Sequence, residues 1–167
     1  RIVGICHVLR YSPYFKQLKE IITSGMIGDI VSVQHLEPIG FDHMAHSYVR
    51  GNWHNSKKSS PIILAKSCHD TDILRWLIDE PVEDVQCFGG LNHFKLENAP
   101  EGSTERCMDH CAVESTCPFS ALQIYYRDRK RLYVFDLPEQ RRKWDELILK
   151  RLKTTDYGRC VYRMDND

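Results

Sequence analysis

The 167-residue chain has no glycine-rich Gly-x-Gly-x-x-Gly loop, no apolar run near the length that crosses a bilayer, and no surplus of either charge. Each absence removes a class of function. Without a glycine turn ahead of a helix N-terminus, nothing in the chain can cradle a dinucleotide pyrophosphate. Without about 20 consecutive apolar residues, no segment reads as a membrane span. Lys+Arg and Asp+Glu number 23 each, so the formal charge is zero and no general field gathers phosphate backbones. The first residues also lack the basic segment, apolar core and small-residue cleavage site of a secretory leader. The expectation is a soluble, cytoplasmic protein with neither nucleic acid nor membrane as a partner. There is no initiating Met, and Met164-Asp165-Asn166-Asp167 ends the chain without a tail; both ends read as cut from something longer.

What is present suits a globular domain. Hydrophobic residues make up 42% and charged residues 28%, enough to bury a core. We expect a single domain over 1–167. The seven cysteines, at 6, 68, 87, 107, 111, 117 and 160, are an odd number in a chain too large to need covalent staples. Reduced thiols or a metal cluster fit them better than a disulfide framework.

Along the chain, Ile2, Val3 and Ile5 around Gly4 predict a short strand within Arg1 to Leu9. Ser12 offers an N-cap and Pro13 a first helical position, and Phe15, Leu18, Ile21 and Ile22 recur at helical spacing until Gly25. Ile30 to Leu36 reads as a second strand and Val82 to Leu91 as a third, with Gly89-Gly90 as a bulge. Between them lie an irregular, aromatic-rich binding loop from Glu37 to Ser60 and a helix from Ile62 to Ile78. Residues 97–118 read as a Cys-rich insertion outside the core. Ala121 to Tyr126 fits helix or strand, Arg131 to Phe135 a strand, and a last helix begins near Asp136-Leu137-Pro138, with Trp144, Leu147, Ile148 and Leu152 on one face. Interleaved strands and helices favour a mixed α/β or α+β layer.

Three constellations carry chemistry. On a helix, Lys66, His69 and Asp70 fall at i, i+3 and i+4, with Asp72 on the adjoining strip. Histidine can exchange a proton with a hydroxyl or carbonyl near neutral pH, and a neighbouring carboxylate can orient it. The plainer reading is a solvated charged face. Trp53, His46, Tyr48, Phe41 and His43 could line a sugar or polyol pocket, or simply anchor their loop. Cys107, Cys111 and Cys117 could hold a structural zinc if a fourth ligand came from His110, His93 or Cys160. His7 and His35 read as core or sheet-face histidines, and the basic runs 127–131 and 141–143 as solvated surface.

In order, Arg10-Tyr11-Ser12-Pro13, Ser24-Gly25-Met26-Ile27-Gly28-Asp29-Ile30, Arg50-Gly51-Asn52-Trp53, Ser60-Pro61 and His69 with Asp72 resemble the Gfo/Idh/MocA family of NAD(P)-dependent oxidoreductases, from approximately Arg1 to Gly90. The resemblance implies a C-terminal substrate-binding and oligomerisation domain without its N-terminal Rossmann half. Its fold would be α+β, an open, largely antiparallel sheet with helices packed on one face and homo-oligomerisation through the other. It implies His69 as the catalytic histidine and Asp72 as its downstream aspartate, with Arg10, Tyr11 and Pro13 near the cofactor, NAD or NADP. Two positions depart from the family pattern: Ala65 stands where the family has Asp, with Lys66 as a substitute, and His54 stands where it has Arg. The expected activity is oxidoreduction of a sugar, polyol or related hydroxy compound, the fragment being inactive alone. The alternatives are an NAD-dependent glycosidase on the same scaffold and a non-catalytic, zinc-stabilised interaction module.

Overall fold

The computed structural model describes residues 1–4 and 6–167; Ile5, part of the first expected strand, lies outside the described residues. The chain divides into two compact units, each drawn from two separated segments: residues 1–38 with 62–88, and residues 39–61 with 89–167.

In the first unit, α1 (Pro13–Thr23) forms where the sequence places it. Proline at the first helical position loses no hydrogen bond there, and the Lys16 amide opens the helix by donating to Ser12 O at 3.0 Å. The expected helix from Ile62 to Ile78 is instead two, α3 (Ile62–Ala65) and α4 (Cys68–Ile78), broken at Lys66-Ser67. α4 ends at Asp79, which takes a left-handed conformation (φ 64°) and donates its amide to Arg75 O. The next residue but one is Pro81, and Glu80 before it is disfavoured in helical geometry, so the helix stops there. α1 and α4 pack on each other, with the Lys19 ammonium donating to Leu77 O and lying over the Trp76 ring. The buried side chains of this unit are Ile73, Leu77 and Asp70.

The second unit holds two apolar clusters. One joins Ala45, Val49, Phe94, Phe119, Cys160, Val161, Tyr162 and Met164; the other joins Cys107, Ala121, Ile124, Tyr125, Phe135, Ile148 and Leu152. The segment expected to be an irregular loop contains α2 (Phe41–His43) and a π-helical run Met44–Arg50, whose last residues are almost wholly buried. Gly51 follows that run in an extended conformation, its backbone so close to the preceding turn that a Cβ would sit 2.7 Å from His46 O. Ala121–Tyr126 resolves to a second π-helical run, Leu122–Arg127. The last helix, α5 (Trp144–Thr154), starts later than expected but buries Ile148 and Leu152, four residues apart, on one face. Asp145 and Glu146 in its first turn and Arg151 and Lys153 in its last match the helix dipole. The Arg106 guanidinium then takes the terminal carbonyls of Leu152 and Thr155, at 2.9 and 2.8 Å.

The α+β expectation is overturned. No sheet forms among the described residues, and the β-type pairing present is an isolated antiparallel bridge, Arg106 to Arg159. Arg1 to Leu9, Ile30 to Leu36 and Val82 to Leu91 form no strand among the described residues, and Leu132–Phe135 is a 3-10 turn. β-branched residues favour an extended backbone, but a strand exists only through a ladder partner, and that pairing is tertiary. Nor do residues 97–118 stay outside the core, since Cys107 is buried in the second cluster.

Candidate active site

Within the first unit, three elements bring ionisable groups together. The 3-10 turn Val8–Tyr11 faces α4 through Asp72, which accepts Nε and NH2 of Arg10 at 2.8 and 2.5 Å and pairs with His7 Nδ1 at 2.8 Å. The Arg10 hydrogen bonds, with His7 adding to them, hold the Asp72 carboxyl down at about 2. Asp72 is thus a fixed anion that ties the turn to the helix. Its contact with His69 is indirect: His7 meets the His69 ring edge to face, with centroids 5.9 Å apart.

His69, on the first turn of α4, lines a cavity of about 280 Å³ with Val8, Leu9, Phe15, His35, Glu37, Lys66 and Asp70. Its Nδ1 is buried and has no hydrogen-bond partner. Two polar pairs flank it: a hydrogen bond between His35 Nε2 and the buried Asp70 at 2.9 Å, and the ion pair of Lys66 Nζ with Glu37 at 2.7 Å. The break at Lys66-Ser67 removes the continuous helical face expected for Lys66 and His69, yet both side chains reach the same cavity.

His35, Glu37 and Asp70 place their ligand atoms within 4.8 Å of one another, which is donor chemistry for a divalent cation. The Lys66 ammonium on Glu37 already supplies positive charge there. His35 and Glu37 were not singled out by the sequence as site residues. The signal was their spacing, since residues two apart on an extended segment share a side. His7 was passed over in the same way, being read as a sheet-face residue.

Of the residues expected near a cofactor, Arg10 spends its guanidinium on Asp72, Tyr11 is 70% exposed, and Pro13 opens α1. Those expected to bind substrate lie in the second unit. His46 is buried, with Nδ1 and Nε2 on the hydroxyls of Tyr125 and Tyr133 at 2.8 and 3.1 Å, and its ring is stacked on Tyr157. Burial, reinforced by the nearby Arg131 charge, lowers its pKa to about 4. Tyr48 is buried beside a half-exposed Trp53, their rings 6.4 Å apart. Cys107, Cys111 and Cys117 also belong to this unit. The basic runs mostly face carboxylates: Arg127 pairs with Glu114, Arg129 with Asp145 and Arg131 with Asp42.

The model of the GFO/IDH/MocA C-terminal domain matches residues 15–114, more than half of the chain. The chain belongs to this family. It is also 30% identical over 122 residues to the Bacillus subtilis (strain 168) protein named "Putative oxidoreductase YteT", an overlap of 70% of this chain and 28% of that protein. The chain therefore spans well under half the length of that relative. No solved structure matches it. The matched span includes α1 from Phe15 onward, α4 and the whole His69 cavity apart from Val8 and Leu9. No helix is long and apolar enough to cross a membrane among the described residues.

Proposed function

We propose that this chain is the substrate-binding part of an NAD(P)-dependent oxidoreductase acting on a sugar, polyol or related hydroxy compound in the cytoplasm. The observation that carries the reading is that His69 lines a cavity together with His35, Asp70, Lys66 and Glu37. The cavity is near the lower end of ligand-pocket sizes, suited to a small polyhydroxylated molecule.

In this reading His69 exchanges the hydroxyl proton, while the His35–Asp70 and Lys66–Glu37 pairs present donors and acceptors to neighbouring hydroxyls. Asp72 is a positioning residue, acting through His7 and Arg10 rather than touching substrate. When bound, the nicotinamide would supply hydride transfer. This chain fits it only as the proton-handling side, because it has no phosphate-cradling loop and Arg10 is committed to Asp72. The proposal includes homo-oligomerisation, for which the exposed Val31, Leu36, Val85 and Phe88 offer apolar surface; sedimentation of the full-length protein measures it.

His69→Ala in the full-length enzyme should lower turnover about 10²- to 10⁴-fold. Nicotinamide cofactor affinity, measured by fluorescence titration, should change little. Small, equal effects on both would remove His69 from the reaction. Unchanged turnover in Lys66→Met would do the same for Lys66.

A further inference from the structure

The antiparallel bridge between Arg106 and Arg159 is the one place where chain segments 53 residues apart are joined by paired backbone bonds of β type among the described residues. The Cys107 amide donates to Gly158 O at 3.1 Å, and the Cys160 amide donates to Glu105 O at 2.9 Å. That pairing puts Cys107 and Cys160 diagonally on the same face of the bridge. The turns that follow Cys107 bring round Cys111 and then Cys117, whose amide is fixed on Val113 O at 2.9 Å. All four thiols line one small cavity of about 20 Å³. His110 and His93, the other candidates for a fourth ligand, do not line it; His110 is exposed, and His93 Nε2 faces the Tyr162 hydroxyl.

A buried cation closes the arrangement. Arg50, 2% exposed, donates from Nε to Arg159 O and from NH2 to Phe119 O, both at 2.8 Å, and NH2 also reaches Cys107 Sγ at 3.6 Å. Its NH1 is buried without a partner. The Ala121 amide points at the same sulfur, 3.4 Å away. These are donors in search of an anion, and neutral thiols are weak acceptors. Four thiolates around a divalent ion carry a net charge of −2, which a guanidinium and a backbone N–H would stabilise.

We propose that Cys107, Cys111, Cys117 and Cys160 form a mononuclear zinc site, with Arg50 as its buried counter-charge. The cavity has room for about one water-sized body, which suits a single ion rather than a polynuclear cluster. Zinc binding converts four thiols to thiolates and releases their protons. The sulfurs have to draw together for this: the group of three ligand atoms within 4.8 Å among the described residues is at His35, Glu37 and Asp70, whereas a tetrahedral zinc with ~2.3 Å bonds sets sulfurs about 3.8 Å apart. The site would pin the bridge to the two turns of residues 107–117, a Cys-rich stretch with little regular structure of its own.

The test is metal analysis of the reduced, full-length protein grown with zinc. One equivalent of zinc per chain is expected. Cobalt in its place should give thiolate-to-metal charge transfer in the near ultraviolet and the intense visible bands of a tetrahedral ion. Cys160→Ser should lose stoichiometric metal, while His110→Ala and Cys68→Ser keep it. If Cys160→Ser does not fold, stepwise mercuriation of the wild-type protein replaces it: zinc release should track the modification of four thiols beyond those that react first, such as the exposed Cys6 and Cys87. Less than half an equivalent of zinc, iron with acid-labile sulfide, or loss of zinc in His110→Ala but not in Cys160→Ser would each overturn the assignment.

Discussion

The two units spend their side chains differently. The first buries little beyond Ile73, Leu77 and Asp70, and it gathers polar and charged side chains on the wall of a cavity. The second buries two apolar clusters and, among them, a guanidinium and an imidazole that have lost their water. In the first unit polar groups are held by each other and stay near solvent. In the second they are held by backbone carbonyls and tyrosine hydroxyls inside a core. Chemistry needs the first arrangement, because a proton must come and go, whereas the second resists any change of charge.

Deleting core volume should show the contrast most strongly. Phe135→Ala, in the second unit, should cost about 3–5 kcal/mol in urea denaturation, since the ring is 2% exposed and packed on Tyr125 and Tyr157. A loss below about 1 kcal/mol would mean that this cluster is not a core.

Acid should act next, and on the same unit. His46 has its folded pKa lowered to about 4, against about 6.5 for a free imidazole. The fold therefore holds the neutral ring. That contribution is fully present above about pH 6.5 and is lost as pH falls toward 4, up to about 3 kcal/mol. Denaturation midpoints measured across this window should fall for the wild type and much less for His46→Phe. Parallel curves would show that His46 is not the group responsible.

In the first unit the corresponding effect is smaller and lies at lower pH. Asp72, lowered to about 2, contributes stability that is present above about pH 4 and lost as pH falls through 2. Because Arg10 is 40% exposed, Asp72→Asn should cost only about 1 kcal/mol at neutral pH. It should also raise amide exchange in Val8–Tyr11, where the clamp acts. Smallest of all, Phe88→Ala should shift stability by less than about 0.5 kcal/mol, as the side chain is 92% exposed. A larger loss on dilution-sensitive unfolding would instead assign Phe88 to a self-association surface.

Much of the candidate site could be read in advance, because its signals are local. The Ser12-Pro13 helix start, the apolar spacing of Ile148 and Leu152, and the crowding of Lys66, His69 and Asp70 are all properties of neighbours in sequence. The break at Lys66-Ser67 was hidden, since nothing in the composition marks it. His7, His35 and Glu37 were misjudged for a different reason: their partners Asp72 and Asp70 lie far along the chain, and a histidine on an apolar stretch looks alike with or without a carboxylate opposite. The sheet failed on the same ground, as Ile30 to Leu36, with its β-branched Ile30, Val31 and Val33, and Val82 to Leu91 pair with nothing among the described residues.

Sequence by itself determined the family, the helices α1, α4 and α5 in outline, and the histidine on which the proposed chemistry rests. Family motifs and helical periodicity are short-range patterns that survive without knowing what meets what. Tertiary structure alone decided that Asp72 serves His7 and Arg10, that His46 is locked between tyrosines, and that Cys160, rather than His110 or His93, lines one cavity with three cysteines more than 40 residues away. Those are pairings across long loops, set by which burial and hydrogen-bond arrangement satisfies the most groups at once, and no local pattern encodes them.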